Sequence, residues 1–187
     1  MRILGLSGSR RRDSYNTRLL RAAAAKLPPG ARLVVFEELA AVPPFDEDAE
    51  HGPAPAAVQR LRDELAAADG VLLATPEYNG SIPGQLKNAL DWASRPYDQT
   101  PLRGLPAAVV GASTGLFGAV WAQADLRRIL ERTGTRVVGD ELPVGQADTA
   151  FSLRGDLLDP DADAALAIIV DALVAEARAR RALPAAA

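Results

Sequence analysis

Short apolar runs alternate with longer segments of helical period along most of the chain, and this alternation restricts the fold more than any other feature. Ile3 to Leu6 precedes Ser14 to Leu27, Leu33 to Phe36 precedes Ala54 to Ala68, and Val71 to Ala74 precedes Pro83 to Ala93. Ala107 to Gly111 then precedes Phe117 to Arg132, and Arg136 to Val138 precedes Asp161 to Ala182. A five-strand βα series closes into a parallel sheet, because each helix carries the chain back to the start of the next strand by a right-handed crossover. The predicted fold class is therefore α/β: a doubly wound parallel sheet in strand order 2-1-3-4-5, with helices on both faces. Boundary residues agree with the periodicity. Ser14 can cap the first helix, Pro55 and Pro160 sit where a first-turn proline is tolerated, and Gly134 follows the fourth helix as a stop. Leu166, Ile169, Val170, Leu173, Val174 and Ala177 give the last helix one apolar stripe. Residues 37–53, rich in Pro, Asp and Glu, read as a rim loop without a helix.

Composition removes several kinds of chemistry. The 187 residues, 48% of them apolar, are expected to form a single domain over residues 1–187. A net charge of −3 argues against a nucleic-acid binder. With no cysteine there is no thiolate catalysis and no cysteine-held metal, and the single His51 rules out a histidine-rich metal site. Redox chemistry on this chain has to use a borrowed cofactor. The amino terminus reads as the first strand rather than a leader, and no apolar run approaches the ~18 residues of a membrane span. The expected location is the cytoplasm.

In the order 2-1-3-4-5 the first and third strands are neighbours, so the polar turns that follow them meet. Ser7-Gly8-Ser9-Arg10-Arg11-Arg12-Asp13-Ser14-Tyr15-Asn16 combines a glycine for a tight bend, hydroxyls at Ser7, Ser9 and Ser14, the amide of Asn16 and a run of arginines. Such a donor set at a helix start suits a phosphate monoester. Both the nucleoside-triphosphate loop and the dinucleotide glycine fingerprint are absent, so the expected ligand is a mononucleotide. The second turn, Thr75-Pro76-Glu77-Tyr78-Asn79-Gly80-Ser81-Ile82-Pro83-Gly84, offers backbone groups for the edge of a flat heterocycle and Tyr78 to flank it. A third, Gly111-Ala112-Ser113-Thr114-Gly115-Leu116-Phe117-Gly118, lets backbone approach a planar ligand closely. Lys87 and Asp91 read as a surface pair, His51 as a solvated loop residue, and Trp92 and Trp121 as packing or interface residues. One histidine in a rim loop gives no Ser-His-Asp set, which disfavours hydrolysis.

The runs Gly8 to Asn16, Pro76 to Gly84 and Leu86-Lys87-Asn88-Ala89-Leu90-Asp91-Trp92 resemble the NAD(P)H-dependent FMN reductases, a group that includes bacterial quinone, chromate and azo-dye reductases. The likeness continues through Pro44 to Glu50, Ser113 to Gly118, Gln123 and Leu126-Arg127. It implies a flavodoxin-like fold in which Ser9, Arg11, Ser14 and Asn16 hold the FMN phosphate and Tyr15 supplies backbone. Pro76, Glu77, Tyr78, Asn79 and Gly80 would border the isoalloxazine ring, and Ser113 and Gly115 would approach its other side. The implied reaction passes hydride from NADPH or NADH through FMN to a quinone, chromate, azo compound or similar acceptor. No side chain is required as acid or base, no metal is implied, and the assembly is a homodimer or homotetramer whose partner subunit lines the flavin pocket. Gly115-Leu116-Phe117-Gly118 departs from the family's double glycine, which leaves the shape above the ring and the acceptor open. Other readings are a flavin reductase that feeds reduced FMN to a monooxygenase, a flavodoxin-type electron carrier, and a flavin-free regulatory descendant. The arginine-bearing loop and the modest net charge argue against the carrier.

Overall fold

The computed structural model describes residues 1–182. β1 (Arg2–Ser7), β2 (Arg32–Val35), β3 (Gly70–Thr75), β4 (Pro106–Ala112) and β5 (Arg136–Val137) form a parallel sheet in the order β2-β1-β3-β4-β5. The connecting helices are α1 (Tyr15–Ala24), α2 (Ala56–Ala66), α3 (Gly84–Ala93), α4 (Val120–Arg132) and α5 (Pro160–Ala182). This is the doubly wound flavodoxin-like sheet expected from the alternation of the chain.

β3 and β4 are buried along their whole length, as central strands covered on both faces must be, whereas β2 at the edge is not. One core layer packs Leu61 of α2, Leu86 of α3 and Leu126 of α4 against one sheet face. The other packs Leu19 and Leu20 of α1 with the stripe Leu166, Ile169, Val170 and Leu173 of α5 against the opposite face. Burying each of these side chains contributes roughly 1.5–3 kcal/mol. Two layers of helices therefore fix the register of the strands, and with it the positions of the turns at their carboxyl ends.

The structure departs from expectation in three places. The fifth strand position is split: β5 pairs with Pro106 and Ala107, and a further two-residue strand, β6 (Pro143–Val144), pairs with Gly111 and Ala112. Between them the chain turns at Gly139 (φ 71°), and Leu142 donates its N–H to Oε1 of the buried Gln123 at 3.0 Å. α4 begins at Val120 rather than Phe117, because Gly118 (φ 55°) and Ala119 (φ 64°) are left-handed and hold the chain out of the helix. The 37–53 segment holds two single turns of 3₁₀ helix, Glu38–Ala41 and Asp48–His51. It is pinned by α3: Gln85 donates to the carbonyls of Leu39 and Val42, Asn88 and Trp92 both donate to the Pro43 carbonyl, and Phe45 N–H donates to Asn88 Oδ1. The side chain of His51 and residues 183–187, at the Ala- and Arg-rich end whose last few residues the composition suggests are frayed, lie outside the described residues.

Candidate functional site

The turns after β1, β3 and β4 lie side by side because β1 pairs with β3 and β3 with β4. Gly8 N–H donates to the Ala74 carbonyl at 2.8 Å, which ties the first turn to the end of β3. A Cβ at Gly8 would stand 3.2 Å from Pro76 and 3.1 Å from Leu86, so any larger residue would press the first turn away from the second by a few tenths of an ångström.

In the first turn Ser14 caps α1, its Oγ accepting the Thr17 N–H at 3.2 Å. Ser7 is linked to the Ser9 backbone and to the Thr17 hydroxyl, which fixes the bend. Among the described residues no protein acceptor pairs with the backbone N–H groups from Arg10 to Asn16. A run of unpaired donors at a helix start, beside Arg10, Arg11 and Arg12, is a ready anion site. Arg11 lies over the Tyr15 ring at 5.5 Å, and that ring stacks on Phe151 at 6.2 Å with an 8° interplanar angle. Asn16 plays a part the sequence did not suggest. It is 2% exposed; its amide donates to the Ala112 carbonyl at 2.9 Å and accepts the Ala112 N–H at 3.0 Å. The side chain is occupied in clamping α1 to the end of β4, so only its backbone N–H faces the turn as a donor.

The second turn is a tight bend in which Tyr78 and Ser81 exchange both backbone hydrogen bonds, at 2.9 and 3.2 Å. The backbone groups of Tyr78 are thus engaged within the turn, which leaves its half-exposed ring for a ligand. Asn79 (φ 54°) and Gly80 (φ 77°) form the left-handed tip, and nothing lies within 4 Å of a Cβ placed on Gly80. Glu77 accepts the Ala122 N–H at 3.3 Å, which anchors the turn to the first turn of α4 and satisfies an otherwise orphaned donor. Ser81 donates to Asp125 at 2.7 Å. That hydrogen bond first, and Arg128 second, hold the Asp125 carboxyl below its usual range. Pro76 is buried under the turn, and Lys87 and Asp91 form the expected helix-surface pair at 2.7 Å.

The third turn is braced by the segment that follows β6. Ser113 N–H donates to the Val144 carbonyl at 3.0 Å, Ala147 N–H to the Ser113 carbonyl at 3.1 Å, and Gln146 N–H to the Gly115 carbonyl at 3.1 Å. Ser113 Oγ accepts the Gly115 N–H at 3.2 Å, leaving its own hydroxyl proton free to donate. A Cβ on Gly115 would meet only the Ser113 hydroxyl, at 3.5 Å. Behind the turn, Gln123 is fully buried and donates to the Gly118 carbonyl, and a Cβ at Gly111 would come within 2.8 Å of its amide nitrogen. Asp125, Gln146, Ala147 and the close approach of Gly145 to Leu116 escape sequence reading. Of these only Gly145, set directly after the β6 residues, carries a local signal.

The cleft joins an unpaired N–H run with arginines at one end to open, glycine-lined backbone at the other. That donor set fits a phosphate monoester carried on a planar ring, which is the form of FMN. Among the described residues there is no group of three or more His, Cys, Asp or Glu side chains that could hold a metal ion.

The sheet order and the cleft over its switch point define the flavodoxin-like class of α/β proteins. Within that class, the pattern of the NADPH-dependent FMN reductase family matches residues 1–149, and the chain belongs to this family. It is 43% identical over 163 residues to an NAD(P)H-dependent FMN reductase of Pseudomonas aeruginosa, with 87% of each chain covered. It is 34% identical over 182 residues to a 2-hydroxy-1,4-benzoquinone reductase of a Burkholderia species, covering 97% of this chain and 98% of that one. Among solved structures it resembles FerB, a flavoenzyme NAD(P)H:acceptor oxidoreductase from Paracoccus denitrificans, with a TM-score of 0.83 and 35% identity over 95% of this chain and 97% of that one.

Proposed function

We propose that the chain is an NAD(P)H-dependent FMN oxidoreductase that reduces quinones, with residues 1–187 acting as one FMN-binding unit. The observation that carries this reading is the run of unpaired N–H groups from Arg10 to Asn16 beside the open, glycine-lined turns of β3 and β4. Ser9, Arg11 and Ser14 would hold the FMN phosphate through their side chains, and Tyr15 and Asn16 through their N–H groups. Pro76, Glu77, Tyr78, Asn79 and Gly80 would border the ring on one side, and Ser113 and Gly115 on the other.

When bound, FMN supplies the two-electron chemistry that links NAD(P)H to the acceptor. The protein's part is positioning and electrostatics. The Asn16 clamp sets the distance between the first and third turns. Glu77 and Ser81, both anchored on α4, hold the second turn so that the N–H groups of Asn79 and Gly80 stay out of the Tyr78–Ser81 pairing. Those groups, with the positive end of α3 at Gly84, favour negative charge at the ring edge. Glu77 is a structural anchor here, and no side chain is assigned as acid or base.

A second copy of the chain would cover Leu116, Phe117 and Trp121, which are 71%, 59% and 52% exposed beside the cleft, giving a homodimer or homotetramer. Phe117 and Trp121 meet edge to face at 5.0 Å, a preformed aromatic surface. Among the described residues no helix is long and apolar enough to cross a membrane. We place the protein in the cytoplasm, where the NAD(P)H it consumes is kept.

Arg11→Ala should weaken FMN binding by about 1.5–3 kcal/mol, the scale of a charge-assisted hydrogen bond, as read by flavin fluorescence titration. Unchanged affinity removes Arg11 from the site. Anaerobic mixing of the FMN-loaded protein with NADPH or NADH tests the function itself. Rapid bleaching of the flavin, restored by a quinone, supports the reading; reduction only by a protein donor would make the chain an electron carrier instead.

A further inference from the structure

A groove of about 360 Å³ runs down the outer side of α1 and shares Arg12, Asp13 and Ser14 with the first turn. One wall is a helical stripe: Ser14, Thr17, Arg18, Arg21, Ala22 and Ala25 recur at three- and four-residue spacing and so face the same way. The other wall is the loop from Ser152 to Asp156, closed by the Phe151–Leu157 bridge. Within it Ser152 N–H donates to the Asp156 carbonyl at 2.9 Å, and Ser152 Oγ accepts the N–H groups of Arg154 and Asp156 at 3.1 and 3.2 Å. Both walls are held by their own hydrogen bonds before any ligand arrives.

The groove is strongly cationic although the chain is not. Arg12, Arg18, Arg21 and Arg154 line it, and among the described residues none of their guanidinium groups forms a salt bridge or donates a hydrogen bond. The lining carboxylates are Asp13 and Asp156, and Asp156 is already engaged by the Ser152 hydroxyl at 3.2 Å. Four guanidinium charges face two carboxylates, a surplus of two in a chain whose net charge is −3. Arg18 is further held over the Tyr15 ring, at 5.6 Å. Forked guanidinium groups without carboxylate partners are suited to a compact dianion such as a phosphate monoester. Beside them stand apolar surfaces: Leu153 is fully exposed at the rim, and Ala22 and Ala25 lie along the helix wall. The combination suits a purine nucleoside that carries a phosphate.

We propose that this groove receives the 2′-phosphoadenosine half of NADPH and makes the protein select NADPH over NADH. The two nucleotides differ only by that phosphate, which needs the unpaired cations this groove supplies. The groove adjoins the first of the FMN turns, with which it shares Arg12, Asp13 and Ser14. This inference rests on the FMN oxidoreductase reading above.

The test is calorimetric titration of the FMN-loaded protein with adenosine 2′,5′-bisphosphate, AMP and inorganic phosphate, for the wild type and for Arg21→Ala/Arg154→Ala, two residues outside the FMN cleft. In the wild type the bisphosphate should bind about 10- to 100-fold more tightly than AMP or phosphate, and the double variant should lose that margin. In steady-state assays with a quinone, the variant's KM for NADPH should rise by a similar factor, with kcat and the KM for NADH unmoved. Equal binding of bisphosphate and AMP by the wild type overturns the proposal, as does phosphate alone binding as tightly as the bisphosphate. A variant whose NADPH and NADH constants move together, or not at all, overturns it too. A wild type that oxidises NADH but shows no phosphate preference defeats this inference alone, whereas one that oxidises neither nucleotide defeats the underlying reading as well.

Discussion

Asn16→Leu should lower the unfolding free energy by about 2–5 kcal/mol and sharply weaken FMN binding. Leucine nearly matches asparagine in shape but can neither donate to the Ala112 carbonyl nor accept the Ala112 N–H, bonds of 2.9 and 3.0 Å in the native protein. The site is 2% exposed, so water cannot replace them. Each stranded backbone group costs about 1–3 kcal/mol, far more than the net worth of either bond in water. The loss reaches ligand binding because Ala112 leads directly into the third turn and Asn16 belongs to the first turn of α1. A urea titration gives the stability change as a shifted midpoint, and flavin titration in the absence of denaturant gives the affinity. If FMN affinity is kept while stability falls, the clamp supports the fold and not the cleft.

Gly145→Val should be as damaging by a different route. A Cβ at Gly145 would overlap the Leu116 carbonyl oxygen and come within 3.2 Å of the Gly115 carbonyl oxygen. These are backbone atoms, so no rotamer change relieves the conflict and the third turn must move. Overpacking of this kind costs about 1–3 kcal/mol. The displaced turn also carries Ser113 and Gly115, so FMN affinity should fall at least about tenfold, the equivalent of one well-made hydrogen bond. The same seam is tight on its other side: a Cβ at Gly118 would stand 2.6 Å from Val144 N. A Gly145→Val protein that binds FMN as the wild type does would place the flavin away from this turn.

The order of the sheet was legible because β1, β3 and β4 are apolar runs followed at once by polar turns, and because crossover handedness leaves few topologies. Helix boundaries read well where a cap or a proline marks them, as at Ser14, Pro83 and Pro160, and less well at α4, where left-handed Ala119 has no signature in its side chain. The split fifth strand was invisible because two-residue pieces are too short for any period, and Gln123, which supports the break, lies on another element. The three turns of the site could be found from sequence, but the division of labour within them could not. An amide such as that of Asn16 has the same donor and acceptor whether it meets a phosphate or a backbone partner 96 positions away. Glu77, expected at the ring edge, also anchors the second turn on α4, a contact spanning 45 positions of which the sequence carries no trace.

The central claim is that the turns after β1, β3 and β4 close on a single FMN molecule. Hydrogen–deuterium exchange followed by mass spectrometry, with and without FMN, tests it most directly. The claim predicts that FMN slows exchange together in three segments, around Arg10 to Asn16, Glu77 to Gly80 and Ser113 to Gly118, at one common midpoint in flavin concentration. Protection confined to one of these turns, or appearing outside all three, would contradict it.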